Sequence, residues 1–213
     1  MRRLMLLGAV VALTCAPTVV ADWEDNFDSY ADGTNLHGVG GWKGWDNTPG
    51  ATAYVTDDFS RSAPHSVDIV PTADLVHEYF GYTEGEWLYT AWVYVPAGFS
   101  GESYFILLSE YADGGGQDLN HWAVQMRFDN DDNIVEMEHG GPNTPLIKGQ
   151  WVRIFVWIDL NADWHTVFYN DAVLEAKPWT DGPNNDGSGI INIGAVDLYG
   201  NNASSVYYHD MSL

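Results

Sequence analysis

Apolar and polar residues alternate on both sides of an Asp- and Asn-rich turn in residues 120–139, which read NHWAVQMRFDNDDNIVEMEH. Because side chains of a β-strand point to opposite faces with a period of two, this pattern predicts a hairpin with one face in a core. Phe128 is expected to pair with Val135, since a slip of one residue would turn the apolar face to solvent. The predicted core side chains on the first strand are Trp122, Val124, Met126 and Phe128.

The opposite face of this hairpin carries polar and charged side chains. The same register places Arg127 opposite Glu136 and Gln125 opposite Glu138, with His121 at the start of the first strand. Paired cross-strand charges of this kind lie within reach of an ion pair. The face is therefore either a structural ion-pair surface or a polar groove that binds a ligand.

A second hairpin shows the same division into an apolar face and a polar or aromatic face. In WVRIFVWIDL (residues 151–160) one face is aliphatic, whereas the other carries Arg153, Phe155 and Trp157. Further short strands recur along the chain, separated by Gly- and Asn-rich loops, and no helical pattern of useful length appears. These features predict an all-β fold, a two-sheet antiparallel jelly-roll sandwich.

Four segments of the chain resemble the concanavalin A-like lectin/glucanase jelly rolls: DNFDSYADGT, GEWLYTAWVYVP, GQWVRIFVWIDLNADWHTVFYNDAVL and VYYHDMSL. The Trp-led apolar strand followed by an Asp-rich turn and FYN-D is also similar to laminin G-like modules. The resemblance extends over nearly all of residues 22–213. It implies one jelly-roll domain whose concave sheet face binds carbohydrate.

The enzymatic signatures of that superfamily are missing from this chain. The laminarinase-like E-x-D-x-x-E strand is not found, nor are the R-x-E-x-R, Q-I-H and Y-K-x-G motifs of alginate-lyase-like jelly rolls. Their absence favours a binding module, although a fold by itself does not decide function. Whether the protein is an enzyme stays open at this stage.

The amino-terminal residues have the order of a secretory signal peptide: basic, then apolar from Leu4 to Leu13, then small residues. We expect cleavage after Ala21, so that residues 1–21 are the signal peptide and 22–213 the mature domain. The apolar run is too short for a membrane span. The expected location is extracellular or periplasmic, with a lipid anchor at Cys15 as the lesser alternative.

The charge of the chain excludes some partners. It holds 30 acidic residues against 8 lysines and arginines, for a formal net charge of −22. Such a balance argues against nucleic acid and anionic membranes as partners. It also favours a neutral or weakly charged glycan over a strongly anionic polysaccharide.

The sequence therefore predicts a polysaccharide-binding face in which amide, guanidinium and carboxylate groups bond sugar hydroxyls and aromatic rings stack on sugar rings. A second aromatic platform is possible in GWKGWDN, which holds Trp42 and Trp45. The expected ligand-binding residues are Gln125, Arg127, Glu136, Glu138, Arg153, Trp157 and Trp92.

Two enzymatic alternatives would use the same face. Glu136 and Glu138 lie about 7 Å apart at Cα as residues i and i+2 of a strand, within the range used by glycoside hydrolases. A lyase acting by β-elimination would need a base such as His121, a tyrosine as acid, and Arg127 or Arg153 on a uronate carboxylate.

A structural calcium ion is the one cofactor that the resemblance suggests. In jelly rolls of this type, calcium often links the first strand to the last, and the matching residues here are Asp28 and Asp210. Carboxylate oxygens are the ligands that calcium prefers.

Overall fold

The structure is a computed structural model that describes residues 21–138 and 140–213. Except for Ala21, the predicted signal peptide lies outside the described residues, and so does Cys15. Within the described ranges, no helix is long and apolar enough to cross a membrane.

In the described part of the chain, nearly all regular structure is β-strand, apart from the one-turn helix α1 (Gly116–Leu119) and three 3₁₀ turns at Trp45–Asn47, Pro49–Ala51 and Trp179–Asp181. The strands are β1 (Glu24–Asp25), β2 (Trp42–Gly44), β3 (Tyr54–Thr56), β4 (Ser66–Ile69), β5 (Asp74–Glu78), β6 (Glu86–Tyr94), β7 (Glu102–Glu110), β8 (His121–Asp129), β9 (Ile134–Met137), β10 (Asn143–Pro145), β11 (Trp151–Asp159), β12 (Trp164–Tyr169), β13 (Ala172–Lys177), β14 (Ala195–Tyr199) and β15 (Val206–Ser212).

The described strands form two antiparallel sheets. The eight-stranded sheet has the order β13-β12-β11-β6-β15-β4-β3, with β1 paired to β15. The seven-stranded sheet has the order β10-β9-β8-β7-β14-β5-β2. The two sheets pack on one shared apolar core, which confirms the predicted jelly-roll sandwich. We call the face of each sheet that points away from the core its outer face.

The predicted register of the first hairpin is confirmed. β8 pairs with β9 so that Phe128 faces Val135 and Arg127 faces Glu136. The backbone N–H of Glu138 bonds the carbonyl of Gln125, which continues the same alignment. On β8 the inward side chains Val124, Met126 and Phe128 are fully buried, as are Val152, Ile154, Val156 and Ile158 on β11.

Trp122 departs from the predicted alternation. Leu107 of β7 pairs with Val124, but the next residue, Leu108, pairs with Trp122, so β8 has one extra residue at Ala123. This β-bulge turns the strand, and Trp122 packs with the apolar cluster on the outer face instead of the core. The prediction that Trp122 is a core residue was therefore wrong.

A buried carboxylate fixes the amino-terminal segment to the sandwich. Asp25 pairs with Met211 of β15 through its backbone. Its Oδ1 accepts the N–H of Phe27, and its Oδ2 accepts the hydroxyl of Tyr30 and the indole N–H of Trp42, at 2.8, 2.9 and 2.9 Å. Phe27 has a φ of 64°, which an aromatic residue rarely adopts, so the bond from its N–H holds an otherwise unfavourable turn.

Replacing this carboxylate should destabilise the fold. We expect Asp25→Ala to lower the free energy of unfolding by about 3 kcal/mol, because it leaves two buried donors without an acceptor. Tryptophan fluorescence during urea unfolding measures the change. The exposed neighbour Glu24 supplies the control, since Glu24→Ala should change stability by less than about 0.5 kcal/mol. Equal stability of the two variants would contradict this role of Asp25.

Candidate functional site

A cleft of about 330 Å³ opens on the outer face of the seven-stranded sheet. Its floor comes from β5, β7, β8 and β14, and its walls come from three loops. The lining residues are Trp45, Asp74, Ile106, Gln117, Trp122, Gln125, Pro183, Asn184, Asp197 and Tyr199. A volume of this size is typical of a small-ligand or single-sugar site.

Two tryptophans form the aromatic side of the cleft. The rings of Trp45 and Trp122 are nearly parallel, with an interplanar angle of 15° and centroids 6.2 Å apart. Trp45 also meets Tyr111 edge to face at 4.8 Å. Both tryptophans are only partly buried, so ring surface remains available to a ligand.

Hydrogen bonds fix the loop that carries Trp45. The N–H of Asp46 donates to the hydroxyl of Tyr111 at 2.9 Å, and the N–H of Gly114 donates to Asp46 at 2.7 Å. Lys43 of β2 binds Asp113 at 2.7 Å and also pairs with Glu78. These contacts tie the loops after β2 and β7 together, which holds the aromatic wall in place.

A carboxyl pair lies on the floor of the cleft. Asp74 of β5 pairs with Tyr199 of β14, which places it beside Asp197, and Asp197 is only 2% exposed. Burial, and then the charge of Asp74, raise the pKa of Asp197 well above its usual value. Burial also raises the pKa of Asp74. The pair therefore retains a proton under conditions in which two separate carboxyl groups would both be ionised.

Tyr199 borders this pair. It stacks on Tyr104 with centroids 5.8 Å apart and an interplanar angle of 26°. Partial burial, followed by the charges of Asp74 and Asp197, raises the pKa of Tyr199. The phenol therefore stays neutral beside the carboxyl pair and contributes an apolar ring to the floor.

Arg127 lies on the same outer face but does not line the cleft. Its guanidinium pairs with Glu136 and contacts Glu102, Glu138 and Asp129 at 3.2, 3.3 and 3.7 Å. Although partial burial opposes it, the hydrogen bond to Glu136 and the neighbouring carboxylates raise the pKa of Arg127. The guanidinium is thus engaged by the protein itself. A direct role in ligand binding for Arg127, Glu136 and Glu138 stays a prediction.

The other predicted residues of this sheet lie nearer the cleft. Gln125 lines its floor. His121 lines an adjoining depression of about 180 Å³, where its Nδ1 is 3.4 Å from Glu110. That depression shares Gln117, Trp122, Pro183 and Asn184 with the cleft, so the two lie next to each other, and we call them together the groove.

Arg153, Trp157 and Trp92 lie on the outer face of the other, eight-stranded sheet. Arg153 pairs with Trp92 across β11 and β6, and its Nε donates to Asp171 at 3.1 Å. The prediction that these residues share one face with Gln125 and Arg127 was wrong. Each hairpin was correctly divided into a core face and an outer face, but the two hairpins belong to opposite sheets, so their outer faces point away from each other.

Asp28 and Asp210 do not converge on a common point that would suit calcium. They approach opposite nitrogens of the buried His209, at 3.9 Å from Nε2 and 3.0 Å from Nδ1. Asp210 also pairs with the guanidinium of Arg61. Within the described ranges, no group of three or more His, Cys, Asp or Glu residues is arranged to hold a metal ion. Calcium here stays a prediction that this geometry does not favour.

Sequence reasoning missed Asp74, Asp197 and the outward position of Trp122. The sequence does contain an indication of Asp197, because this residue interrupts the otherwise apolar strand AVDLY. A carboxylate at such a position is costly to bury unless a partner compensates it. Its partner Asp74 lies more than 120 positions earlier in the chain, and only the β5–β14 pairing brings the two together.

Solved structures share this architecture. The chain aligns over 90% of its length with a sialidase, at a TM-score of 0.56 and 7% identity, although it covers only 18% of that chain. It also aligns with the catalytic domain of a glycoside hydrolase family 131 protein from Coprinopsis cinerea, with a TM-score of 0.54, 11% identity and coverages of 90% and 93%. For the cellulose induced protein Cip1, the TM-score is 0.50 and the identity 15%, with coverages of 89% and 88%.

The fold is a two-sheet jelly-roll sandwich, which these solved structures share. No protein-family model matches the chain, and no curated protein matches it. At such low identities the structural likeness defines the fold of this jelly roll, and its function has to be argued from the cleft.

Removing Arg127 should destabilise the protein, because its carboxylate partners would be left without a cation. We expect Arg127→Met to lower the free energy of unfolding by about 2 kcal/mol at neutral pH. Urea unfolding followed by tryptophan fluorescence measures the change.

Arg153→Met is the matched control for Arg127→Met. Arg153 pairs with Asp171, whose side chain is 70% exposed, so the control should change stability by less than about 0.5 kcal/mol. Full stability of Arg127→Met combined with lost ligand binding would instead assign Arg127 to the binding site.

The carboxyl pair predicts a pH-dependent stability. Native Asp197 keeps a proton that the unfolded chain releases above about pH 4, so this group's contribution to stability falls as pH rises through its native pKa. Asp197→Asn does not titrate. We therefore expect the variant to gain stability relative to the native protein as the pH is raised from 4 to about 8, as measured by urea unfolding. Asp171→Asn, which removes an exposed carboxylate, should show no such trend.

Proposed function

We propose that this protein is secreted and binds a polysaccharide in the cleft beside Trp45 and Trp122. The observation that carries the proposal is the pair of partly exposed, nearly parallel tryptophan rings next to a polar floor. Sugar rings have apolar faces edged by hydroxyl groups, so they suit a site that combines flat aromatic surface with hydrogen-bonding groups.

The polar groups of the cleft fit this ligand. Gln117, Gln125 and Asn184 each offer an amide, which can donate to one hydroxyl and accept from another. The adjoining depression extends the site along the sheet, as a chain of several sugars requires. The predicted signal peptide would deliver the protein to the compartment where structural polysaccharides occur.

Hydrolysis in this cleft is less well supported. The two carboxyl groups of a glycoside hydrolase flank the scissile bond at about 5 to 9.5 Å from each other. Asp74 and Asp197 lie side by side on neighbouring strands of the cleft floor, so they do not face each other across a sugar ring. Glu136 and Glu138, the earlier candidates, are engaged by Arg127.

Elimination in this cleft is also less well supported. A lyase needs a cation next to the uronate carboxylate to stabilise the intermediate. Among the described residues, no lysine or arginine lines the cleft. The structural neighbours include a sialidase and a glycoside hydrolase domain, which is compatible with a glycan ligand without identifying one.

Truncating the aromatic wall tests the proposal. We expect Trp122→Ala to weaken binding to a responsive polysaccharide by about tenfold, which corresponds to about 1.4 kcal/mol. Affinity electrophoresis against a panel of soluble polysaccharides first finds a ligand, and titration calorimetry with an oligosaccharide of it gives the dissociation constant. Trp157→Ala is the matched control, because Trp157 lies on the outer face of the other sheet.

Three outcomes would overturn the proposal. Native protein that retards on no polysaccharide would indicate a surface protein without a glycan site. Equal losses in Trp122→Ala and Trp157→Ala would place binding outside the cleft. Release of reducing sugar, or of unsaturated uronates detected by ultraviolet absorbance, would show a hydrolase or a lyase instead.

A further inference from the structure

The floor of the cleft carries carboxyl oxygens that accept hydrogen bonds but have no donor group beside them. Asp197 is 2% exposed, and its Oδ1 has no hydrogen-bond partner among the described residues. Its neighbour Asp74 is also a carboxyl group, and burial raises the pKa of both residues. A buried carboxyl oxygen without a donor costs free energy, which a ligand that supplies donors would recover.

The surrounding cations do not neutralise this floor. Lys43 is held by Glu78 and Asp113, and Arg127 is held by its own group of carboxylates. The adjoining depression adds two more acids, Asp181 and Asp186, to the groove. No lysine or arginine of the described residues lines the groove, and its lining holds four aspartates and a single imidazole, that of His121.

We propose that this cleft selects a glycan that carries primary amines, such as a polymer of glucosamine-type sugars. The ammonium group would lie on Asp197 and Asp74 while its sugar ring packs beside Trp45 and Trp122. This inference rests on the proposed glycan-binding function and names the class of ligand. It extends the expectation of a neutral or weakly charged glycan to a cationic one.

A comparison of amine-bearing, neutral and uronate sugars supports this choice. An ammonium carries three N–H donors and a positive charge, so it adds to its hydrogen bonds a Coulombic attraction to the carboxylates that a neutral hydroxyl lacks. A uronate brings a further negative charge to a groove that already holds four acids. On binding, the ammonium replaces the proton that the pair retains, which leaves to solvent.

The test compares oligosaccharides that differ only at the nitrogen. Titration calorimetry at about pH 5.5, below the usual pKa of an amine, measures binding of a β-1,4-glucosamine oligomer and of its N-acetylated counterpart. A uronate oligomer of similar length is the third probe. We expect the amine form to bind about tenfold or more tightly than the N-acetylated form, and the uronate to bind least.

Asp197→Asn tests whether the carboxyl pair causes the preference. The ratio of amine to N-acetyl affinity should fall to about threefold or less in this variant. Asp74→Asn is the second variant, in case the first fails to fold. Asp171→Asn removes one negative charge from the other sheet and should leave the ratio unchanged, which separates a specific site from general attraction to an acidic protein.

These experiments distinguish failure of the amine preference from failure of the proposed glycan binding. If the N-acetylated oligomer binds as tightly as the amine and Trp122→Ala weakens both, the cleft binds glycans but the amine preference is overturned. A preference that persists in both Asp197→Asn and Asp74→Asn would attribute it to surface charge and overturn the inference as well. If no oligomer binds although the native protein retards on another polysaccharide, the amine preference is overturned and glycan binding stands. If the native protein also retards on no polysaccharide of the panel, both proposals fail.

Discussion

The burial of one apolar face of every long strand between the two sheets is the interaction on which the rest of the structure depends. β8 contributes Val124, Met126 and Phe128 to this core, and β11 contributes a matching row of Val and Ile. Removing such side chains from water supplies most of the favourable free energy of folding. Because alternate residues point the opposite way, the same burial forces the polar and aromatic side chains of each strand onto an outer face.

The two outer faces then differ because loops cover them differently. On the seven-stranded sheet, the loops after β2 and β7 approach each other through Lys43, Asp46 and Asp113, and they leave a cleft above β14 and β5. On the eight-stranded sheet, the guanidinium of Arg61 lies 3.8 Å above the ring of Trp92 and covers it. The first arrangement produces a walled site, whereas the second shields an aromatic ring that sequence reasoning had placed in the binding face.

Charge gives the cleft its chemical character. The chain has few cations, and those on the outer face of the seven-stranded sheet are held by more than one carboxylate each. The acids on the cleft floor are therefore not compensated by a neighbouring lysine or arginine, and burial together with the charge of Asp74 raises the pKa of Asp197. The same scarcity of free cations that argues against a lyase supports a ligand that brings its own positive charge.

The local features of this protein could be predicted from its sequence, because they depend on side-chain alternation alone. The register of the β8–β9 hairpin and the contact between Arg127 and Glu136 follow from keeping Phe128 opposite Val135. The outward position of Trp122 could not be predicted, because a single-residue bulge reverses which face the following side chains point to and leaves no mark in the amino-acid composition of the strand. Sheet membership is a long-range property: β8 pairs with β7 while β11 pairs with β6, and only that strand order separates Gln125 from Trp157 and joins Asp74 to Asp197.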